Sequence, residues 1–281
     1  MATRPGTVSK ILWHFTGGPV WDDEANKQLK ELKPAIDGYE ALKAILKSQQ
    51  LRVGKYHEVV KVIIPEKRRH DFLTRKVEIL KDHPVTVKSK SVCCVADIPL
   101  QHIGYHSNRY GKIAIGFHRE SIVKAGFNPV MYTLENTALL NSIYRGYSAI
   151  DEVQPGSAQS EVESLQGEID NLIENNGLDD HIDISGVEME LDWIEQGHGE
   201  VEESFQNFIA YIKTFDTTEF DSIYCEREWR NINNYSFTMD DIAIIILPKE
   251  QEGERFYERF LDEIKLPKTV SIACWEDLVE H

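Results

Sequence analysis

The chain has 281 residues, 41% hydrophobic and 10% aromatic, with 47 acidic against 31 basic side chains and a net charge of -16. That length holds one large domain or two small ones with a true core. No apolar run reaches the roughly 20 residues of a membrane span, and no apolar signal core follows Met1-Ala2-Thr3-Arg4-Pro5-Gly6, which argues against membrane and secreted classes and for a cytoplasmic location. Cys93, Cys94, Cys225 and Cys274 have no zinc or disulfide spacing and are expected to be free thiols, mostly buried. The charge is unevenly spread. Between Gly146 and Ile212 there are 17 Asp and Glu and no Lys or Arg, so the remainder sums to +1, and residues 52–90 carry eleven basic against five acidic side chains.

In chain order, Val8 to Thr16 reads as a strand stopped by Gly17-Gly18-Pro19, and Tyr39, Leu42, Ile45 and Leu46 give a helix over 39–48. Glu58 to Ile64 reads as a strand, Lys67 to Leu80 as a helix, and Ser91 to Val95 as a β-branched and Cys run ending at Asp97-Ile98-Pro99. A strand over 112–117, a short helix over 120–125, a strand over 129–133 and a helix over 134–150 follow, and Pro155-Gly156-Ser157 opens a loop. Val162, Leu165, Ile169, Leu172 and Ile173 keep helical spacing, and Phe205, Phe208, Ile209 and Ile212 form a second amphipathic helix. Ile242 to Leu247 is a buried strand stopped by Pro248, Arg255 to Ile264 a helix and Thr269 to Cys274 a last strand. Strands and helices without regular βαβ alternation indicate an α+β domain with a mixed sheet. Its parts are residues 1–150, an acidic helical insert over 151–204, and a return to the same domain over 205–281.

The chemistry-bearing stretch is Tyr224-Cys225-Glu226-Arg227-Glu228-Trp229-Arg230. Extended, it sends Tyr224, Glu226, Glu228 and Arg230 to one face and Cys225, Arg227 and Trp229 to the other. Two carboxylates so placed can divide labour, one orienting a nucleophile and one stabilising positive charge; the plainer reading is an edge strand with its charges in water. His14 ends the first strand as a candidate ligand contact or an ordinary hydrogen-bonder. Gly104 to Gly111 reads as a loop presenting Tyr105, His106, Arg109 and Tyr110. His57, His70 and His83 lack ligand spacing on any one element, so no metal site is expected.

Four pieces in a fixed order carry a family likeness: Leu12-Trp13-His14-Phe15-Thr16 before the helix ending Leu42-Lys43-Ala44-Ile45-Leu46-Lys47-Ser48; Val92 to Leu100; Tyr110 to Phe117 with Asn128-Pro129-Val130; and Glu226 to Arg230. The sequence resembles bacterial phage-defence proteins related to the AbiGi abortive-infection family and, more distantly, the DarT toxins that ADP-ribosylate DNA. The resemblance implies an ADP-ribosyltransferase-like split mixed β-sheet with flanking helices that binds NAD in a cleft. His14 would bond a ribose hydroxyl, Thr16 the nicotinamide amide, and Tyr105 or Tyr110 would stack on the nicotinamide. Glu228 would be the catalytic carboxylate, Glu226 would direct the acceptor, and Arg230 would hold a phosphate or fix a carboxylate. Related proteins often show Phe-Thr where this chain has Val95-Ala96. The implied partners are a nucleic-acid or protein acceptor, and a cognate antitoxin or phage-derived trigger, with no membrane. The alternative is a non-catalytic regulatory or antitoxin-like component, in which Glu226, Glu228 and Arg230 close a structural ion-pair network.

Overall fold

The computed structural model describes residues 9–25, 27–71, 76–135, 137–151, 163, 167, 170–171, 174, 185–219 and 223–279. Its strands in chain order are β1 (Ile11–Phe15), β2 (Pro19–Asp22), β3 (Lys27–Leu32), β4 (Gln50–Leu51), β5 (Val59–Asp71), β6 (Lys76–Lys88), β7 (Cys93–Ala96), β8 (Ala114–His118), β9 (Asn128–Pro129), β10 (Met131–Leu134), β11 (Ile212–Phe215), β12 (Glu228–Asn231), β13 (Tyr235–Ser236), β14 (Ile242–Leu247) and β15 (Ser271–Cys274). Its helices are α1 (Ala35–Ser48), α2 (Ile103–Tyr110), α3 (Arg119–Lys124), α4 (Ala138–Asp151), α5 (Ser185–Ile209), α6 (Phe256–Glu263) and α7 (Trp275–Val279). The chain divides into one unit of Met1–Glu58, Lys90–Tyr132 and Ala210–His281 and a second of Val59–Ser89 and Thr133–Ile209. The second unit takes in more than the acidic stretch over 151–204. Val162, Leu165, Ile169, Leu172 and Ile173, and the loop expected at Pro155-Gly156-Ser157, lie outside the described residues.

The first unit is built on a seven-stranded sheet in the order β15-β14-β8-β1-β7-β12-β9. β14 and β15 run parallel and α6 supplies the crossover such a pair requires, while the other pairs are antiparallel, so the sheet is mixed and the class α+β. Alternation along the strands loads both faces. Leu12, Val95, Ile115, Phe117 and Ile245 join Tyr39, Leu42 and Leu46 of α1 and Phe256 and Phe260 of α6 in the larger core. Trp13, Ala96, Ala114 and Ile246 join Ile103 of α2 and Trp275 of α7 on the opposite face. The indole N–H of Trp13 donates to Ile98 O at 2.9 Å, satisfying the one polar group of that buried ring.

The second unit holds the β5–β6 hairpin, with α4 against β5 and α5 against β6. Val60, Val62 and Ile64 pair with Val87, Val85 and His83 and are buried, and Tyr147 stacks on Phe205 at 4.4 Å between the two helices. Where a helix is expected over 67–80, residues 67–71 and 76–80 belong to the two strands of this hairpin, and 72–75 lie outside the described residues. The hairpin's register continues from Glu66↔Lys81 to Asp71↔Lys76, and Lys76-Val77-Glu78-Ile79 alternates with the period of a strand, which the apolar count of a helical window conceals. Conversely, the expected loop over 104–111 is mostly α2, ended by Gly111 at φ 79°. Among the described residues no helix is long and apolar enough to cross a membrane.

Gly116 sits in the middle of β8 where an added Cβ would lie 2.6 Å from Ile11 Cγ2, 2.8 Å from Ile244 Cγ2 and 2.9 Å from Trp13 Cζ3. Gly116→Ala is therefore expected to destabilise the protein by about 1–3 kcal/mol through overpacking. Gly146, inside α4, meets nothing within 4 Å, so Gly146→Ala is expected to stabilise by about 0.5–1 kcal/mol. Denaturant unfolding of both variants checks the opposite signs.

Candidate functional site

Glu226 and Glu228 do not share one strand. Tyr224–Glu226 is a single 3-10 turn, Arg227 follows in the left-handed region (φ 45°, ψ 47°), and the strand begins at Glu228. This kink corrects the reading of Tyr224 to Arg230 as continuously extended, yet it still brings both carboxylates to one cation. Lys213 Nζ of β11 lies 2.6 Å from Glu226 Oε2 and 3.2 Å from Glu228 Oε2. Arg227 is held in its unusual conformation by Asp97, whose Oδ2 is 3.1 Å from Arg227 Nη2 and whose backbone N–H donates to Arg227 O at 3.0 Å. Asp97 Oδ1 also takes Arg119 Nη2 at 3.2 Å and the Ser9 N–H at 3.2 Å.

Arg230, two residues along β12, is 0% exposed. Its Nη2 lies 2.5 Å from Glu58 Oε1 and 2.9 Å from Glu228 Oε2, and its Nη1 donates to Ala210 O at 2.8 Å and Ile212 O at 3.4 Å. Tyr56 lies beneath both cations, with Arg230 Cζ 5.4 Å and Lys213 Nζ 5.8 Å from its ring centre, and donates its hydroxyl to Glu58 Oε1 at 2.6 Å. On the outer side Glu226 Oε1 takes Arg109 Nη1 at 2.6 Å and the Tyr110 hydroxyl at 3.1 Å. Three carboxylates (Glu58, Glu226, Glu228) thus meet three cations (Arg109, Lys213, Arg230) in one balanced cluster.

The electrostatics follow from that balance. Burial alone would push the Glu228 carboxyl up, but Arg230 and Lys213 outweigh it and hold the group far below the ordinary range, so Glu228 is ionised. Burial likewise works against the charge on Lys213 and on Arg230, and Glu228 foremost among their neighbours keeps each proton on. Burial raises the hydroxyls of Tyr56 and Tyr110, which stay neutral donors. A carboxylate so depressed and engaged is a poor general base at neutral pH, and two adjacent cations cancel the field it would offer to a developing positive charge.

A cavity of about 440 Å³ opens beside this cluster, lined by Lys30, Tyr105, His106, Arg109, Tyr110 and Glu226 among others. His106 stacks on Tyr110 at 4.5 Å, and Tyr105 is 62% exposed at the rim. His14 and Thr16 are placed differently. In the strand register Trp13, Ala96 and Glu228 lie across from one another, so they share a side of the sheet, while His14 pairs with Ile115 and shares the other side with Leu12. The His14 ring donates Nδ1–H to Cys94 O at 2.9 Å, and burial holds it neutral. Thr16 is buried, with its backbone N–H on Ile113 O at 3.1 Å. The structure therefore gathers Glu226, Glu228, Arg230 and Tyr110, sets Tyr105 at the neighbouring cavity, and keeps His14 and Thr16 away from them. Arg230 fixes carboxylates; fully buried, it presents no face to a phosphate.

Sequence reasoning missed Lys213, Glu58, Tyr56 and Arg109 as members of the cluster. Lys213 had one legible signal: it is the first cation after the acidic run and sits between Ile212 and Phe215 in an apolar strand. Of the four free cysteines Cys93 and Cys274 are buried and Cys225 is exposed. Among the described residues no group of His, Cys, Asp and Glu is arranged to hold a metal ion.

The fold and cluster so described define a mixed-sheet α+β protein with a charge-balanced interior, and the comparisons add a family. Residues 57–266 match the family described as "Putative abortive phage resistance protein AbiGi, antitoxin". The match spans most of the chain and includes all six charged residues of the cluster, whereas His14 and Thr16 precede it. The chain belongs to the AbiGi family. No curated protein and no solved structure matches it.

Two imidazoles held neutral by burial contribute to the acid sensitivity of the fold. Burial and then Arg109 lower the His106 proton affinity to about 3, and burial lowers that of His14. The unfolded chain binds these protons from about pH 6.5 downward while the folded one does not, so stability is present above that value and is lost as pH falls toward the folded pKa. His106→Phe, which keeps the stack on Tyr110, is expected to reduce the slope of unfolding free energy between about pH 4.5 and 6 by up to about 1.4 kcal/mol per pH unit. His14 retains its share. Urea titrations across that range measure it.

Proposed function

We propose that this protein is the non-catalytic, antitoxin-type component of an abortive-infection system and works by binding a cognate protein partner. The observation that carries this reading is the saturation of the acid pair: Glu226 is clamped by Lys213 and Arg109, and Glu228 by Lys213 and Arg230. Charges so compensated stabilise a shape rather than drive a reaction. The family description supports the same role.

A second reading, NAD-dependent ADP-ribosyl transfer to a nucleic acid or protein, draws support from the cavity that Glu226, Tyr105 and Tyr110 line together. In it NAD would enter beside α2, and Glu228 would need to exchange one of its cations for substrate. The resemblance role of His14 finds no place in this version, because its side chain belongs to the other side of the sheet.

One set of experiments separates the two. Induced alone in a bacterial host, the protein is expected to leave growth unchanged, and with labelled NAD and separate pools of protein, RNA and DNA it is expected to transfer no label. Co-expressed with the toxin of its own system it is expected to relieve growth arrest, and a folded Glu228→Gln variant to relieve it equally. Growth arrest or label transfer by the protein alone, abolished in folded Glu228→Gln, would overturn the antitoxin reading in favour of the enzyme.

A further inference from the structure

The second unit carries an apolar stripe that is covered for half its length and open for the rest. On one face of the hairpin Val60, Val62, Ile64, Val85 and Val87 are all buried. The register carries that face outward through Glu66↔Lys81, Arg68↔Ile79 and His70↔Val77, where Ile79 is 53% and Val77 50% exposed and Arg68 and Lys81 are exposed beside them. β5 and β6 together hold seven Lys and Arg against four Asp and Glu, within a protein of net charge -16. Among the described residues no third strand joins this sheet.

The same unit displays the complement. Near its C-terminal end α5 exposes Val201 and Phe208, which fall seven residues apart and so share a helix face, with exposed Glu200 about a quarter-turn to one side, on a helix that carries seven Asp and Glu and no Lys or Arg. The outer hairpin from Glu66 to Asp71 extends about 20 Å, about the length of 13 residues of helix. Because both patches sit on one unit, two copies can each give a hairpin and receive a helix, closing a two-fold arrangement. We propose that the outer half of the β5–β6 hairpin docks on the α5 face of a second copy of this chain, Val77 and Ile79 against Val201 and Phe208, with Arg68 and Lys81 beside Glu200 at the edge of that face. A polyphosphate partner fits less well. The 17 carboxylates between Gly146 and Ile212, all of which belong to this same unit, disfavour it, and Val77 and Ile79 gain nothing from phosphates.

Sedimentation velocity of the full chain tests the assignment. At low salt the protein is expected to shift from monomer to dimer as concentration rises, with the equilibrium weakened by added salt. Ile79→Asp is expected to weaken association at least about tenfold. The residues are exposed, so circular dichroism and unfolding midpoints close to those of the parent confirm that the variants fold. Arg68→Glu/Lys81→Glu and Glu200→Lys should each self-associate more weakly than the parent, and their mixture more strongly than either alone, because both contacts then regain opposite charges. A monomer at every concentration and salt, or a dimer indifferent to Ile79→Asp and to the charge swaps, overturns the proposal. So does a monomer that shifts a DNA or RNA duplex in a gel and loses that shift in Arg68→Glu/Lys81→Glu, which assigns the hairpin to nucleic acid.

Discussion

Lys213 stands between two carboxylates in the interior, and the local architecture of the first unit is arranged around that contact. Without its ammonium, the cluster would hold three carboxylates against two cations in a poorly solvated space. With it, each carboxylate has charge to spare for a second cation: Arg109 from α2 on one side, Arg230 from β12 on the other. Arg230 then reaches Glu58 and the carbonyls of Ala210 and Ile212, so the guanidinium fixes the approach to β11 and thereby the position of Lys213 itself. The network closes on its own starting point.

The backbone conformation needed to close the network has a cost that a second anchor offsets. A left-handed Arg227 is unfavourable by roughly 1–2 kcal/mol for a side-chain-bearing residue. Asp97 meets that cost with an ion pair to the Arg227 side chain and a hydrogen bond to its carbonyl, and Asp97 is itself steadied by Arg119 and the Ser9 N–H. The segment Val95-Ala96-Asp97-Ile98-Pro99 therefore serves the acid pair from a distance. Asp97 orients the kink, and Ile98 O receives the Trp13 indole that seats β1 against β7.

What the sequence made legible was the periodic and the local. Ile242 to Leu247 is a strand with the bounds its apolar run indicated, and the helix at Tyr39, Leu42 and Leu46 faces the core as its spacing required. Glu226, Glu228 and Arg230 were visible as a constellation, and so was the choice between catalysis and a structural network. What was not legible depends on contacts remote in sequence. Lys213 meets its partners only because β11 and β12 lie close in space, Arg109 and Glu58 arrive from other elements, and one residue in the left-handed region moves Glu226 off the strand altogether. The hairpin was misread as helix over 67–80 because charged residues are dense there and the alternating apolar positions are few. The separation of His14 from the acid pair has a simpler reason: the side of the sheet a strand residue occupies follows from register, and register is not written in one strand alone.

The central claim is that the acid pair and its cations form one mutually compensating structural unit. A double-mutant cycle on unfolding free energy, using Lys213→Met, Glu228→Leu and the double variant, tests it most directly. Each single change leaves buried charge uncompensated and is expected to cost about 3–5 kcal/mol. The double change is expected to cost less than the sum by more than about 1 kcal/mol, because each substitution removes the partner that the other strands. Costs that add to within about 0.5 kcal/mol would mean that the two groups act independently, and would contradict the claim.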